Sequence, residues 1–369
     1  MEGWRTTTID AACYVEYGTR VVKKRDGGSI YPVYGGGGAT FFMDTSNRAN
    51  RVVVSRFGMS ELCTRYVDGE FFLNDSGLTL SPRDTNALLP EFLDRVALAL
   101  NDEIFALGKG AAQKNLDVPA FRGLRFAYPV SLPEQRRIVA ILDEAFEAIA
   151  TAKANTEKNL QNAQALLDGH LHDLFSQHRE GWQVAPVVEC FKVRSGDFLP
   201  AKAMVADGAI PVYGGNGVAG SHNAANLSGE QVVIGRVGAK CGNVRHVVGD
   251  IWLTDNAFHI SEYLRPFDPA FLAKLLGLKN LRQTANQAAQ PVISYTTIKN
   301  VELSFPVSIE SQRDIASKLS ELEGGVADFV EICEQKFAAL DELKKSLLHQ
   351  AFTGQLTAKT TDQQLEAVA

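Results

Sequence analysis

The sequence predicts an α+β protein with two repeated mixed α/β globular domains, each followed by a long helix. Three observations carry this prediction. The 369-residue chain repeats itself once, each repeat opens with a segment rich in glycine, aromatic and β-branched residues, and each closes with a segment poor in glycine and proline. The repeat interval of about 180 residues far exceeds the roughly 20–50 residues of a solenoid unit, so it indicates two domains.

The repeat is colinear along the chain. Its interval drifts only between 177 and 180 positions, as small changes in loop length would produce. The clearest matches are "IYPVYGGGG" (30–38) with "IPVYGGNG" (210–217), "RVVVSRFG" (51–58) with "QVVIGRVG" (231–238), and "YPVSLPEQRRI" (128–138) with "FPVSIESQRDI" (305–315).

The globular parts, 1–131 and 180–308, are each predicted to be a compact mixed α/β domain. The runs "RVVVSRF" and "QVVIGRV" combine β-branched residues with flanking turn residues, which is typical of strands. The later runs "EFLDRVALAL" and "AFLAKLLGL" predict short helices.

The segments 132–179 and 309–354 are predicted to be long spacer helices, and 355–369 a polar tail. Their apolar residues recur at steps of three and four, the spacing of a coiled-coil seam. About 40 helical residues span roughly 60 Å, and one such helix does not bury its stripe alone, so each is expected to pair with the other. The stripes are Ile138, Leu142, Ala145, Ile149, Ala152, Leu160, Ala163, Leu167, Leu171 and Leu174, then Ile315, Leu319, Leu322, Val326, Phe329, Cys333, Phe337, Leu340, Leu343 and Leu347.

The composition predicts a cytoplasmic protein. Hydrophobic content of 45% and charged content of 22% are typical of soluble globular proteins. No apolar run approaches the roughly 18–20 residues of a membrane helix, and the N-terminus lacks the basic and apolar regions of a signal peptide. The five cysteines are scattered without a Cys-x-x-Cys pair, which favours reduced thiols and argues against a zinc site.

The charge is unevenly distributed. The formal net charge of −6 lies on the helical segments and the tail, with −2 on 132–179 and −5 on 309–369, whereas the globular parts carry 0 and +1. Local basic clusters occur in the globular parts, in "RVVKKR" (20–25) and at the pairs Arg56/Arg65 and Arg236/Lys240. Charge alone therefore leaves nucleic-acid binding open.

The motifs of common catalytic and cofactor sites are absent from the sequence. Gly215, Gly217 and Gly220 have the spacing of a dinucleotide loop, but the following "SHNAANLSGEQ" does not predict the helix that such a loop needs, and the first repeat has Phe41 at the third position. There is no P-loop, no Asn-Pro-Pro-aromatic tetrapeptide and no metal-spaced set of ligands. The sequence predicts a chain without a cofactor or a catalytic set of its own.

Over essentially its whole length, the chain resembles the specificity (S) subunit of type I restriction–modification systems. The resemblance rests on "PVYGGNG", "IGRVGAKCGNV", the "P-V-S-L/I-x-x-Q-R" opening of each helix and the closing "LLHQAFTGQL". It implies that the globular parts are target recognition domains and that the helices pair antiparallel and set the distance between them. It also implies partners: double-stranded DNA, two methyltransferase (M) subunits and, in the full complex, restriction (R) subunits.

The resemblance gives the duplication a physical meaning. Two copies related by a pseudo-twofold axis present two DNA readers and two like surfaces for M subunits. Because the copies differ in sequence, the two half-sites are expected to differ, so the target should be bipartite and asymmetric. If both domains enter the major groove on one face, the half-site centres should lie about 10 bp apart.

The candidate DNA contacts are cations, amides and tyrosines that are expected in loops of the repeat. Arginine and lysine suit phosphates or guanine, and asparagine and glutamine suit adenine. Each choice has an alternative: the tyrosines pack under the glycine turn, Arg56 and Arg236 pair with a carboxylate, and the glutamines cap backbone groups. The candidates are Tyr34, Arg56, Arg65, Lys109, Gln113, Lys114 and Arg122 in the first domain, and Tyr213, Asn216, Arg236, Lys240, Arg245, Gln290 and Lys299 in the second.

Two other functions stay open at the level of sequence. A bivalent glycan- or protein-binding module on a coiled-coil stalk would show no salt-dependent affinity for DNA. An enzyme with its active site between the domains would be active as the purified chain alone.

Overall fold

The computed structural model describes residues 3–176, 181–286 and 290–356. The chain forms two compact units, one from 1–157 with 334–369 and the other from 158–333. Each unit thus contains one globular domain, the beginning of the long helix that follows it, and the end of the other long helix. In the described ranges, no helix has the length and apolar character needed to cross a membrane.

The N-terminal domain alternates short strands and helices before the first long helix. Its elements are β1 (Trp4–Thr8), α1 (Ile9–Ala12), β2 (Cys13–Tyr17), α2 (Lys23–Asp26), β3 (Tyr31–Tyr34), β4 (Phe42–Met43), β5 (Arg48–Ser55), β6 (Thr64–Leu73), β7 (Gly77–Pro82), α3 (Pro90–Ala99), α4 (Asn101–Ala106), β8 (Gly108–Lys109), β9 (Asn115–Leu116), α5 (Val118–Arg122), β10 (Arg125–Pro129) and the long α6 (Leu132–Ser176).

A six-stranded sheet in the order β2-β7-β5-β6-β3-β4 forms the centre of this domain. The pairing of β3 with β6 is parallel and the other pairings are antiparallel. The buried face of α3, with Phe92, Leu93 and Val96, joins the core beside the sheet. The first strand, β1, pairs antiparallel with β10, so the domain closes just before α6 begins.

The second domain repeats this order of elements. They are β11 (Trp182–Pro186), α7 (Val187–Cys190), β12 (Phe191–Ser195), β13 (Ile210–Gly214), β14 (Gly217–His222), β15 (Glu230–Gly235), β16 (Val244–Val248), β17 (Trp252–Leu253), β18 (Ala257–Tyr263), α8 (Pro269–Leu278), α9 (Tyr295–Ile298), β19 (Glu302–Pro306) and the long α10 (Ile309–Phe352), with 3₁₀ turns at Ala201–Ala203 and Leu281–Thr284.

The central sheets of the two domains differ mainly in how one strand is divided. In the second domain, β12-β18-β15-β16 and β14-β13-β17 form separate sheets, because β16 and β17 replace the single long β6 of the first domain. Gly249 lies between β16 and β17 with a φ of 110°, and its counterpart Gly69 lies within β6 with a φ of 72°. The same backbone kink therefore bends the strand in one domain and divides it in the other.

The predicted fold class is confirmed by these elements. The predicted strands appear as β5 and β15 and the predicted short helices as α3 and α8. The glycine run at 214–217 leads into the strand β14 and not into a helix, as the sequence indicated. All five cysteines are buried free thiols.

The long helices α6 and α10 pair antiparallel within the first unit. Nζ of Lys153 lies 2.5 Å from a carboxylate oxygen of Asp341. Nearer the start of α6, the Phe146 ring has the ammonium of Lys344 at 4.9 Å from its centroid. Since a later residue of α6 meets an earlier residue of α10, the helices run in opposite directions.

The predicted stripe holds along α6 but is wrong at Leu322 of α10, which is 39% exposed, and again near the end of that helix. Leu343 is 47% exposed, and the neighbouring Lys344 is half-buried in its place. The reason is that this end of α10 also contacts the first domain, whose core contains Leu348 and Ala351. The predicted polar tail lies outside the described residues from 357 onward, and Leu356 packs against the same core.

The end of each long helix inserts a phenylalanine into a domain core. Phe352 of α10 lies edge-on to Phe92 of α3, with centroids 5.3 Å apart. Phe175 of α6 lies against Phe271 of α8, with centroids 5.8 Å apart. In the repeat, Phe175 is the counterpart of Phe352, and Phe271 is the counterpart of Phe92. The end of α6 therefore completes the core of the second domain, and the end of α10 completes the core of the first. This completion is cyclic, because the last helix serves the first domain.

The glutamine of the "P-V-S-x-x-x-Q-R" run holds the start of each long helix on its domain. Gln135 is fully buried; its Oε1 accepts from the amide of Leu89 at 2.8 Å, and its Nε2 donates to the carbonyls of Ala87 and Pro129 at 2.8 Å. Gln312 makes the equivalent three hydrogen bonds in the second domain. In the first domain, this run therefore attaches the start of α6 to the strand β10 and to the segment just before α3.

Candidate nucleic-acid interface

A close backbone contact fixes the repeated Pro-Val-Tyr-Gly-Gly turn in each domain. A Cβ atom on Gly36 would collide with the carbonyl oxygen of Phe57, and one on Gly215 would collide with that of Val237. Only glycine fits where two backbones approach this closely. In each domain, the run thus places the glycine turn against the segment that follows β5 or β15.

The arginine at the end of each of these strands is held in the same way in both domains. Nη1 of Arg56 donates to the carbonyl oxygen of Asp75 at 3.4 Å, and Nη1 of Arg236 donates to that of Asp255 at 3.3 Å. Neither guanidinium forms an ion pair with a carboxylate in the part of the chain that the structure describes. The alternative that these arginines are neutralised inside the domain is therefore not supported.

A second arginine of each domain lies against the glycine turn. Nη2 of Arg245 donates to the carbonyl oxygen of Asn216 at 3.2 Å, and its guanidinium packs on Gly217. Nη1 of Arg65, the counterpart of Arg245 in the repeat, lies 3.7 Å from the Cβ position of Gly38. Neither of the two has a carboxylate partner among the described residues.

The two tyrosines of the turn pack inside their domains. The ring of Tyr34 lies edge-on to Phe71 with centroids 5.7 Å apart. Tyr213 packs against the small buried cluster that includes Val233 and Leu253. Both rings are half-buried, which supports the packing alternative for these two residues.

Gln113 and Lys114 lie close to the segment that follows Arg56 in the first domain. Nε2 of Gln113 lies 3.1 Å from the Cβ position of Gly58, two residues after Arg56. The ammonium of Lys114 lies 4.0 Å from the centroid of the Phe105 ring. Gln113 is exposed, and its side chain makes no hydrogen bond to the described residues, so it does not cap the backbone.

Lys109 and Arg122 are already paired with carboxylates. Nζ of Lys109 lies 2.6 Å from Asp117, and its hydrogen bond lowers the pKa of that carboxyl. Nη1 of Arg122 lies 2.8 Å from Asp10. The pKa of Arg122 is raised, first by the hydrogen bond to Asp10 and then by one to Tyr17. These two cations are less available to DNA than Arg56 and Arg65.

The remaining candidates of the second domain fall into two places. Lys240 is exposed on the loop after Gly238, whose amide donates to the carbonyl of Pro291 at 3.0 Å and so brings Gln290 near this loop. Gln290 is exposed as well. Lys299 instead follows α9 and lies beside α7 through a backbone hydrogen bond.

The prediction that the candidates lie in loops is wrong for six of them. The glycine turn is short, so the side chains around it come from neighbouring strands, while Lys109 and Arg122 belong to short elements of their own. These six are Tyr34 on β3, Arg65 on β6, Lys109 on β8, Arg122 on α5, Tyr213 on β13 and Arg245 on β16.

Exposed aromatic residues beside the arginines were missed by the sequence reasoning. Tyr17 and Phe57 are 42% and 37% exposed, and the guanidinium of the first-domain arginine lies 4.9 and 4.5 Å from their centroids. The repeat has Ser195 and Val237 at these positions, and it exposes Phe198 by 72%. For Phe57 the signal was available, since this position follows a shared arginine and differs between the copies, whereas Tyr17 reaches the arginine only through the fold.

The surface around the turn is suited to an anionic, planar ligand. An unpaired guanidinium presents a fork of donors that matches phosphate oxygens or the O6 and N7 atoms of guanine. Exposed aromatic rings add faces on which bases can stack. Among the described residues, no group of three or more histidine, cysteine or acidic side chains is arranged to hold a metal ion.

Sequence comparisons identify relatives of both halves. A family model described as the type I restriction modification DNA specificity domain matches residues 1–162 and 179–330. The EcoprrI specificity subunit of Escherichia coli is 32% identical over 155 residues, which are 40% of this chain and 37% of that protein. A Mycoplasma pneumoniae protein named as a type I specificity subunit is 23% identical over 307 residues, 78% of this chain and 79% of that protein.

Solved structures share the fold. A chain from a structure on complex assembly and conformational transition of the type I R-M system has a TM-score of 0.75 at 16% identity, covering 96% of this chain and 99% of that one. The HsdS subunit of Thermoanaerobacter tengcongensis has a TM-score of 0.57 at 17% identity, covering 96% and 98%. Since the family model matches both repeats and most of the sequence, the chain belongs to the family of type I restriction–modification specificity (S) subunits.

Proposed function

We propose that each globular domain of this S subunit reads one half of a bipartite, asymmetric target in double-stranded DNA. The chain itself transfers no methyl group and cuts no DNA. It acts in the cytoplasm with two methyltransferase (M) subunits and, in the full complex, with restriction (R) subunits.

One observation supports this proposal above the others: the same surface occurs twice. Arg56 and Arg65 flank the glycine turn of the first domain, and Arg236 and Arg245 flank that of the second. None of the four has a carboxylate partner within the described residues. Two unpaired cationic surfaces on homologous domains are suited to two contacts on one polyanion.

The long helices have two roles in the proposal. They offer M subunits two like surfaces, because the repeat includes the helices as well as the domains. They also set the number of base pairs between the half-sites, because Gln135 and Gln312 fix the start of each helix on its domain.

A domain replacement tests the proposal. Residues 1–131 are replaced with the equivalent domain of another S subunit, and the chain is expressed with its M subunit. Methylated adenines are then mapped across the genome. We expect one half of the methylated target to change while the other half and the gap stay the same, because the second domain is untouched.

A change in both halves would contradict modular reading. The matched control is the purified chain alone with labelled adenosyl-methionine and target DNA. Methyl transfer without an M subunit would overturn the non-catalytic role.

A further inference from the structure

The two domains hold one arginine in the same backbone setting. The amide of Arg56 donates to the carbonyl of Ser76 at 2.8 Å, and the amide of Arg236 donates to that of Asn256 at 2.9 Å. The main-chain carbonyl of Arg56 accepts from the amide of Leu116, and that of Arg236 accepts from the amide of Ile293. Nη1 of each arginine donates to a main-chain carbonyl, that of Asp75 in the first domain and that of Asp255 in the second. The backbone setting of the two arginines and the one hydrogen bond of each side chain are thus equivalent.

The side chains around this arginine are not equivalent. Arg56 lies over the exposed rings of Tyr17 and Phe57. Arg236 lies 5.5 Å from the centroid of Phe258, which is buried. The repeat therefore keeps the arginine and its backbone support and varies the surface next to it.

A residue that is held identically in both domains does not distinguish two different half-sites. It contacts a feature that both half-sites share, and the feature shared by every base sequence is the sugar–phosphate backbone. Building on the proposed function, we infer that Arg56 and Arg236 bind DNA phosphates, one in each half-site, and that base preference comes from the varied residues around them.

The chemistry of the site agrees with a phosphate ligand. A guanidinium has five N–H donors, and a single carbonyl occupies one side of the group. Within the described residues, the side-chain hydrogen bonds of Arg56 and Arg236 use only Nη1, so Nη2 of each group has donor capacity left. Stacking and the carbonyl contact restrain the side chain before binding, which reduces the entropy lost on contact.

The test uses the full chain assembled with its M subunit. Preferred duplexes are selected from a randomised library for the unmodified complex and for Arg56→Gln, Arg236→Gln and the double variant. Affinity for the preferred duplex is then measured over a series of salt concentrations. Arg83→Gln is the matched control, since it removes the same charge at the opposite end of β7 from Ser76.

We expect each single variant to bind roughly tenfold more weakly. The slope of log affinity against log salt should fall by about 0.9 for each lost phosphate contact and by about 1.8 for the double variant. The selected bases should not change in either half. Arg56→Lys should restore the slope, because lysine also binds a phosphate, and Arg83→Gln should leave it unchanged.

Loss of a base preference in the half-site of the altered domain would overturn the inference, because the arginine would then read a base. An unchanged salt slope with a lowered melting temperature would overturn it too, as the arginine would only support the fold. If the unmodified complex shows no sequence preference at all, the proposed function fails, and this outcome differs from the other two.

Discussion

At the scale of single residues, two glutamines connect the repeated motif to the architecture. Gln135 and Gln312 are each fully buried and make three hydrogen bonds to main-chain groups of a strand and of the segment just before a short helix. A buried amide with all its partners is costly to remove, since the groups it leaves behind have no water. The motif is thus explained by the attachment of a long helix and not by contact with a ligand.

The first prediction concerns this attachment. Gln135→Ala should lower the free energy of unfolding of the first unit by about 2–3 kcal/mol, because it leaves the amide of Leu89 and two carbonyls unpaired in the interior. Chemical denaturation, monitored by hydrogen exchange at the start of α3, measures this change in the free energy of unfolding. Gln164→Ala, on the exposed face of the same helix, is the control and should have little effect.

The second prediction concerns Asp94, which is buried beside Arg51 and accepts a hydrogen bond from the amide of Val52. Burial raises the pKa of Asp94 from 3.8 to about 6, against the lowering effect of Arg51. The folded state therefore binds this proton more tightly than the unfolded state. The protonated form of Asp94 therefore stabilises the folded state. This stabilisation is fully present below about pH 4 and is lost as the pH rises through about 6.

Comparison with Asp94→Asn isolates this contribution. Between about pH 4 and pH 7, the stability of the parent chain relative to the variant should fall by up to about 3 kcal/mol. Thermal melting over a pH series measures the difference. A constant difference across this range would show that Asp94 titrates as an ordinary exposed carboxyl.

At the scale of elements, the ends of the long helices belong to the domain cores. The 4-3 spacing predicted the helices α6 and α10, but it did not show that Phe175 and Phe352 leave the seam to pack on Phe271 and Phe92. Periodicity reports which face of a helix is buried and says nothing of what covers it. For this reason the exposed Leu343 and the half-buried Lys344 were also predicted wrongly.

The third prediction uses these two phenylalanines as controls for each other. Phe352→Ala should destabilise the first domain by about 3 kcal/mol, and Phe175→Ala should destabilise the second domain by a similar amount. Hydrogen exchange in α3 and in α8 reports on the two cores separately. A variant that loosened both cores equally would contradict the assignment of one helix end to each core.

Strands were predictable only where local composition marked them. The β-branched runs that became β5 and β15 carried a clear signal, whereas the pairing of β1 with β10 joins segments that are far apart in sequence and leave no local trace. The same limit applies to the site. The arginines were found from the repeat, but the ion pairs of Lys109 and Arg122 depend on tertiary contacts that no motif records.

At the scale of the whole molecule, each compact unit uses parts of both long helices. A change in the length of one helix alone would therefore disturb contacts in at least one unit. Matching changes in both helices leave the contents of each unit intact. This distinction separates the proposed spacing role of the helices from their role in packing.

The fourth prediction follows from it. Four residues inserted after Glu157 and four after Cys333, at the boundaries of the units, should keep the stripes nearly in phase and add about 6 Å to each helix. At about 3.4 Å per base pair, the preferred gap should grow by one or two base pairs while both half-sites stay the same. Methylation mapped over a library of gap lengths measures this.

The insertion in one helix only is the control. It should lower the melting temperature without producing a new preferred gap. A folded and active double-insertion chain with its original gap would show that the helices do not set the spacing.

The cyclic completion of the cores also bears on how such genes can change. Trp4 and Phe352 pack against the same core, so the beginning and the end of the described chain meet in one domain. A rearrangement that moved the second repeat ahead of the first would rebuild both units from the same parts. If the domains read DNA as proposed, the encoded protein would keep the same two readers, and we expect its methylation pattern to stay the same. Under the proposed function, reordering the repeats is therefore not expected to create a new specificity, whereas a changed domain or a changed helix length would.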